Sequence, residues 1–445
     1  MKIFDTVPST DVNFVIDGFN SYLEKMTKEK SFNVTDFFKV SEKNFISADY
    51  RTKKLGGRGE ILIIHDAGVG DFIMMSAAIR EIRRIYPKAY IRLVIFPRAA
   101  DMAEFCPYVD EVIYNRRSTD WRNFISLYKW NTDFVRKLLN RRIDICFAFS
   151  HYASTILLMY MCGAKERVTF DFTGGVEDWN GLTSAVPLDY LKSLATCRVP
   201  KFFSGTHHVD VNFAMVDYIL RLPVENRSLE VWYTPQDLNI AREILSGVPG
   251  NVYALVMGGT GAQKKYPPEK YAEFVKLVLK EESDSTFVIL GGGNEDLQAV
   301  EILKQNFEPE VFTKHFIDLT NKLHYRQSAA ILNFCDMYIG NDTSPLHMAS
   351  AVKCPILALY AGAKDLPESS LYSAFSCAPY KVPSVVVRPE HALSECLNDK
   401  NFSPHGCKVT DRAHCITQIT PETLIKGFHL LKERISAKIN EPLFM

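Results

Sequence analysis

Ile61-Leu-Ile-Ile-His-Asp-Ala-Gly-Val-Gly-Asp71-Phe-Ile-Met-Met-Ser-Ala-Ala-Ile-Arg80 joins an apolar run to an amphipathic segment through two glycines spaced one apart. The apolar run reads as a buried strand and the segment after it as a helix. Glycine lets the backbone turn sharply and lets a ligand come close to it. An acidic residue, Asp71, follows the second glycine directly. A carboxylate at the mouth of a strand-to-helix turn stands where open α/β sheets bind ligands. Asp71 is therefore the first candidate for a catalytic group. Asp is also a favoured helix N-cap, and this segment by itself leaves both readings open.

A dinucleotide fold fails on spacing. Gly68-Val69-Gly70 supplies the first two glycines of G-x-G-x-x-G, but Ile73 stands at the third position. The next apolar run, Tyr90 to Phe96, ends in Pro97, where a ribose-binding acid is wanted. No G-x-x-x-x-G-K-[ST] occurs, so a P-loop is excluded as well.

Working outward, strands and helices alternate from Glu60 onward. Strand 61–65 precedes a helix from about 71 to 86 that Pro87 ends, and strand 90–96 precedes a helix around 98–105. Val112 to Tyr114 is a short strand, Trp121 to Asn140 is largely helical, and strand 143–149 leads to a helix over Thr155 to Cys162. Phe170 to His208 is irregular, and Val209 to Leu222 is helical again. Pro223 to Pro235 reads as a connection. A second alternating run follows, with strands at 252–257, 286–290, 316–318, 337–339 and 355–360, and helices at 268–281, 294–305, 325–334 and 345–352. Such alternation predicts parallel sheets covered by helices on both faces.

Ahead of all this, residues 1–58 form an extension. Val12, Val15, Phe19, Tyr22, Leu23 and Met26 make one helical stripe, Thr35 to Phe45 a second short helix, and Arg51 to Arg58 a basic linker. An add-on of this kind packs on a neighbouring domain or on a second subunit, which leaves a homo-oligomer open.

With 445 residues the chain has room for two ordinary domains plus extensions. Lys plus Arg and Asp plus Glu are both 52, so the net charge is zero and nothing global points to nucleic acid. Local basic clusters at Arg80/Arg83/Arg84, Arg116/Arg117 and Arg141/Arg142 read as solvated faces open to an anionic partner. The start, Met1-Lys-Ile-Phe-Asp, lacks the apolar core of a signal peptide, and no run is long enough to span a membrane. The expectation is a cytoplasmic protein with at most peripheral contact at the inner face of the cell membrane. Cys106, Cys146, Cys162, Cys197, Cys335 and Cys354 sit in apolar segments, as reduced, buried thiols do.

Three loops at strand ends in the second half carry chemistry. Met257-Gly-Gly-Thr-Gly-Ala-Gln-Lys264-Lys-Tyr-Pro-Pro268 offers backbone donors at Gly259, a hydroxyl at Thr260 and a cation at Lys264, before a helix opened by proline. That suits a phosphate; a solvated turn with surface lysines is the plainer reading. Leu290-Gly-Gly-Gly-Asn-Glu295 places an acid at a helix start, where it could accept from sugar hydroxyls or simply favour the helix dipole. Ile339-Gly-Asn-Asp342-Thr343-Ser344-Pro345-Leu-His347 sets small polar residues before a helix N-terminus, another anion site, with His347 one turn in.

These motifs, in this order and at these separations, resemble those of the ADP-heptose–lipopolysaccharide heptosyltransferases, glycosyltransferase family 9. The resemblance covers about residues 60 to 365 and rests on Gly68 to Asp71, on Lys264-Lys-Tyr-Pro267, on the glycine loop with Glu295, and on Asn341-Asp-Thr-Ser-Pro-Leu-His347. It implies a GT-B fold, two Rossmann-like doubly wound domains facing across a cleft, preceded here by the helical extension. It implies an acceptor domain at 59–230, a nucleotide-sugar domain at 231–420, and a last helix within 421–445 that packs back onto the first domain. It implies Asp71 as the general base, Gly259, Thr260 and Lys264 on the donor diphosphate, Glu295 on the ribose, and Asp342, Thr343, Ser344 and His347 about the donor sugar and phosphate. The reaction it implies is metal-independent and inverting: transfer of a heptose or similar sugar from a nucleotide-diphosphate sugar, an ADP-sugar by preference, to a glycan, lipid-linked or protein acceptor. No Asp-x-Asp metal motif lies near these loops. Two positions depart from the family pattern: Ser344 where glycine often follows Asp-Thr, and Tyr266 where tryptophan often precedes the proline. A GT-B sugar-nucleotide epimerase and a catalytically silent GT-B scaffold are the rival readings.

The tail adds Cys377, Cys396, Cys407 and Cys415, with His391, His405 and His414 among them. Four soft ligands could hold a structural zinc or iron, although no C-x-x-C knuckle is present; ordinary thiols in an irregular segment are the alternative.

Overall fold

The computed structural model describes residues 59–65, 67–114, 138, 141–149, 153–171, 193–200, 206–220, 224–259, 261–366, 374–392 and 415–445. The extension at 1–58, Thr260, Cys396, Cys407 and most of the helix expected over Trp121 to Asn140 lie outside the described residues.

The first sheet is built from β1 (Glu60–His65), β2 (Tyr90–Ile95), β3 (Glu111–Tyr114), β4 (Ile145–Ala148), β5 (Glu166–Asp171) and β6 (Cys197–Pro200). Its order is β3-β2-β1-β4-β5-β6, with every pairing parallel. That is the doubly wound order, with its switch point between β1 and β4. The central strand has no polar face: Ile61, Leu62, Ile63 and Ile64 are all fully buried, as a parallel sheet covered on both sides requires. Helices α1 (Val69–Ile85) and α2 (Ala153–Met161) connect β1 to β2 and β4 to β5, and α3 (His208–Leu220) follows β6. The short helix expected at 98–105 is reduced to one turn, Ala100–Ala103, after a 3-10 turn at Pro97–Ala99.

The second sheet repeats the plan and extends it. After α4 (Pro235–Ile244) come β7 (Val252–Val256), α5 (Pro268–Glu281), β8 (Thr286–Ile289), α6 (Asn294–Lys304), α7 (Pro309–His315) and β9 (Phe316–Asp318). Then follow α8 (Tyr325–Leu332), β10 (Met337–Asn341), α9 (Ser344–Val352), β11 (Ile356–Leu359), β12 (Ser384–Val387), α10 (Pro421–Ser436) and β13 (Pro442–Phe444). The strand order is β13-β12-β11-β10-β7-β8-β9, again all parallel. Its switch point lies between β7 and β10, so the loops that leave these two strands flank the crevice where open sheets take ligands. Gly340 on β10 is required by this pairing: a Cβ there would meet the Val256 carbonyl oxygen of β7 at 2.4 Å.

Contacts divide the chain into two compact units. The second comprises Val69–Ser76, Phe202–Asp210 and Ser228–Met445, and the remainder forms the first. Two departures from the expected domain organisation result. The opening turns of α1 and the start of α3 belong with the second unit instead of with a continuous 59–230 domain. The last helix, expected to return to the first domain, spends its apolar face on the second unit's own sheet. Leu424, Phe428 and Leu431 are fully buried in that core, and Gly427 admits it so closely that a Cβ would lie 3.0 Å from Leu357. Among the described residues no helix is long and apolar enough to cross a membrane.

Candidate active site

The site is assembled inside the second unit, at the β7/β10 switch point. Lys264 arrives on the loop after β7, and Asp342 is the residue directly after β10. The Lys264 ammonium donates to Asp342 Oδ2 at 2.6 Å. The Asp342 carboxylate holds the Lys264 ammonium above its ordinary value, against the burial that would lower it. Burial would push the Asp342 carboxyl up, but Lys264 and then His347 outweigh it and hold the carboxyl below its usual range. Both groups are therefore charged at neutral pH, and the lysine is aimed before any anion arrives.

His347 lies one turn into α9 and is buried at 5% exposure. Burial drives its imidazole below its ordinary value, although the Asp342 and Asp71 carboxylates pull the other way. The ring is thus neutral at pH 7. Its Nδ1 is buried without a hydrogen-bond partner among the described residues. The ring is packed against Gly70: a Cβ at that position would meet His347 Cδ2 at 2.8 Å. The second glycine of the Gly-x-Gly turn thus serves close approach to a histidine.

Asp71 lies in the first turn of α1, half-buried. The helix begins at Val69, two residues earlier than expected, so Asp71 is not its N-cap. Its carboxylate is near enough to Lys264, His347 and Cys377 to raise the proton affinity of the first and to hold up that of the other two.

The other expected site residues fall into three groups. Gly259 lies beside Lys264, within ordinary contact distance of its Cβ, and Thr260 is outside the described residues. Thr343 is the N-cap of α9, but its hydroxyl makes no capping bond, and Ser344 opens the helix. Glu295 is largely exposed and pairs with Lys265 at the surface, while its neighbour Asp296 turns inward. Asp296 accepts from the Gly292 N–H at 2.6 Å and fills the space that side chains at Gly258 and Gly291 would need. Burial raises the Asp296 carboxyl above its ordinary value. The glycines that read as room for a ligand are here partly room for Asp296.

Cys377, expected in a metal set, sits instead beside the cluster just described. Its sulfur is 3.7 Å from His208 Nδ1, and burial pushes the thiol up to about 12. Cys396 and Cys407 are outside the described residues, and among the described residues no group of three or more His, Cys, Asp or Glu could hold a metal ion. The segment around His208 was read as the end of an irregular stretch. It docks on this part of the unit through the His208 N–H to the Ser376 carbonyl, His207 Nε2 to the Ala378 carbonyl at 2.8 Å, and the Tyr380 hydroxyl to Asp210. Sequence reasoning missed His208; the adjacent histidines ahead of an apolar helix were its one signal.

Comparison with known proteins follows the same lines. The family profile described as glycosyltransferase family 9 (heptosyltransferase) matches residues 176–374. Lipooligosaccharide heptosyltransferase 2 of Campylobacter jejuni is 22% identical over 298 residues, covering 66% of this chain and 79% of that protein. The glycosyltransferase family 9 structure from Veillonella parvula superposes with a TM-score of 0.62 at 18% identity, covering 84% of this chain and 97% of that one. The E. coli heptosyltransferase WaaC with ADP-2-deoxy-2-fluoro heptose superposes with a TM-score of 0.57 at 15% identity, covering 83% and 99%. At such identities the superpositions speak for the fold.

Proposed function

We propose that the chain is a glycosyltransferase of family 9, whose profile it matches over residues 176–374, and that it moves a heptose or closely similar sugar from an ADP-sugar to a hydroxyl of a lipopolysaccharide-type glycan. The observation that carries this reading is the Lys264–Asp342 pair at the switch point, with Asp71 and His347 within its electrostatic reach. The acceptor oxygen forms its bond to the anomeric carbon as the bond from that carbon to the diphosphate oxygen breaks. Asp71 takes the hydroxyl proton. The bond electrons leave with the nucleoside diphosphate, whose added charge Lys264 and the uncapped N-terminus of α9 offset. Attack opposite the leaving group inverts the anomeric centre. Asp342 keeps Lys264 extended toward the phosphates, and Glu295 would reach the ribose after releasing Lys265.

The names of the relatives support the donor and the acceptor: one is a lipooligosaccharide heptosyltransferase, and one structure holds an ADP-heptose analogue. A lipid-linked acceptor fits a cytoplasmic enzyme working at the inner membrane face. The deciding experiment is a panel of nucleotide sugars, first by thermal shift, since a donor that binds only the folded state raises apparent stability. Release of nucleoside diphosphate is then measured with and without acceptor glycans. Release that depends on the acceptor is the expected result. Acceptor-independent release of sugar would make the protein an epimerase, and no release with any donor would make it a scaffold.

A structural zinc or iron on the four tail cysteines is a separate proposal, and the position of Cys377 weighs against it. If it holds, elemental analysis of protein purified without added metal finds about one metal per chain. Metal-free protein in which these thiols titrate as free ends it.

A further inference from the structure

One buried amide ties together both ends of the lysine loop. Asn341, the last residue of β10, has no exposed surface. Its Nδ2 donates to the Met257 carbonyl at 2.6 Å and to the Gly258 carbonyl at 3.2 Å, where the chain leaves β7. Its Oδ1 accepts from the Tyr271 hydroxyl at 2.9 Å and from the Tyr266 N–H at 3.4 Å, where the chain enters α5. Both donors and both lone pairs of the amide are thereby used. Tyr266 and Tyr271 are held in turn. Their rings cross edge to face at 5.0 Å, and the Tyr266 hydroxyl reaches the Ile419 carbonyl at 3.1 Å. On the other side of the amide, the next residue in the chain is Asp342, the partner of Lys264.

We propose that Asn341 is a positioning residue for the donor diphosphate: it pins both ends of the loop that carries Lys264 to the strand that carries Asp342, so that ammonium and carboxylate are set as one unit. The inference rests on the donor reading above and deepens it. The packing alone would not call for an amide, because a core position of this size is filled more simply by leucine. An amide there obliges Met257, Gly258 and Tyr266 to keep one geometry, since any shift leaves a buried polar group unpaired. A loop fixed in this way places the lysine without spending binding energy on ordering it.

The test uses Asn341→Asp, which keeps shape and volume but turns the donating nitrogen into an oxygen facing two carbonyls. Tyr271→Phe, which removes one bond and leaves the core filled, is the milder variant should the first not fold. The probe is ADP, titrated into the full chain. ADP affinity is expected to fall about tenfold or more in Asn341→Asp, with KM for the donor rising more than kcat falls, as the loss of a bond of about 1.4 kcal/mol gives. A purely structural role would lower the melting temperature but act independently of the lysine. The cycle with Lys264→Ala therefore decides: in that background the Asn341→Asp effect on ADP affinity is expected to shrink to about threefold or less, because the two act through one contact. Unchanged ADP affinity in folded Asn341→Asp and Tyr271→Phe, or full additivity with Lys264→Ala, overturns the inference and leaves the donor reading intact. Wild-type protein that binds no ADP overturns the ADP-donor reading, and this inference with it.

Discussion

Asp71→Asn is expected to lower turnover by about two to four orders of magnitude, the usual worth of a positioned general base. Affinity for nucleoside diphosphate should stay near that of wild type. The asparagine keeps the shape of the aspartate and the first turn of α1, so Gly70 should still pack against His347. What it removes is the charge and the proton acceptor. It also removes a carboxylate that props up the His347 imidazole, which then moves further down and stays neutral. A neutral histidine cannot replace the lost negative charge, although it could accept a proton weakly through its Nδ1, which has no partner among the described residues. A residual rate that titrates at a pH below the ordinary histidine value would identify that route. Near-normal turnover with a verified donor and acceptor would show that Asp71 serves only the helix terminus, where an acidic first-turn residue is favourable in any case.

Lys264→Ala should weaken the binding of nucleoside diphosphate and nucleotide sugar alike, by about one to two orders of magnitude, since both carry the charged oxygens that it is proposed to hold. Calorimetry on both ligands measures this. Lys265→Ala should do little, because Lys265 pairs with the exposed Glu295. Equal losses from the two lysines would point to a diffuse field instead of a contact. The alanine has a second consequence, legible in pH. In the wild type the Asp342 carboxyl is held below its unfolded value, so it contributes stability above that value, and the contribution is lost as pH falls through the lower, folded one. Without Lys264, burial dominates and the folded value rises. The unpaired, buried carboxylate then costs stability at neutral pH and is relieved by protonation, so the stability gap between wild type and Lys264→Ala should be widest near neutral pH and narrow as pH falls, and ADP should protect the variant less.

Much of the fold was legible because its signals are local. β1, β7 and β10 are apolar runs, and a strand buried on both faces can hardly be anything else. The helices around them show their period and their prolines. The strands that escaped notice fail those tests for identifiable reasons. β5 opens with Glu166 and Arg167, which read as surface. In the interior Arg167 donates to the carbonyls of Leu194 and Ala164, and Glu166 Oε2 accepts from the Thr196 hydroxyl. β6, β12 and β13 are three or four residues long and flanked by proline or cysteine, too short to show a period. α4, which begins where the connection read at Pro223 to Pro235 ends, was left unassigned, although Thr234 and Asp237 form a capping box at its start. Asn341 was read only as part of a loop motif, because an asparagine beside an aspartate reads as loop, and only burial shows that it is core.

Sequence alone determined the two successive doubly wound halves, the glycine turns, and which charged residues stand at strand ends. Those properties belong to short windows, where backbone sterics and apolar spacing act. Only the tertiary structure decided which of those residues meet. Lys264 and Asp342 are 78 positions apart and touch because β7 and β10 pair at the switch point of the sheet. Glu295, one residue from an inward-turned aspartate, ended at the surface. Asp71 came to the second unit with the first turns of its helix. Coulomb and hydrogen-bond energies depend on distance through space, and strand order, which no short window contains, sets that distance.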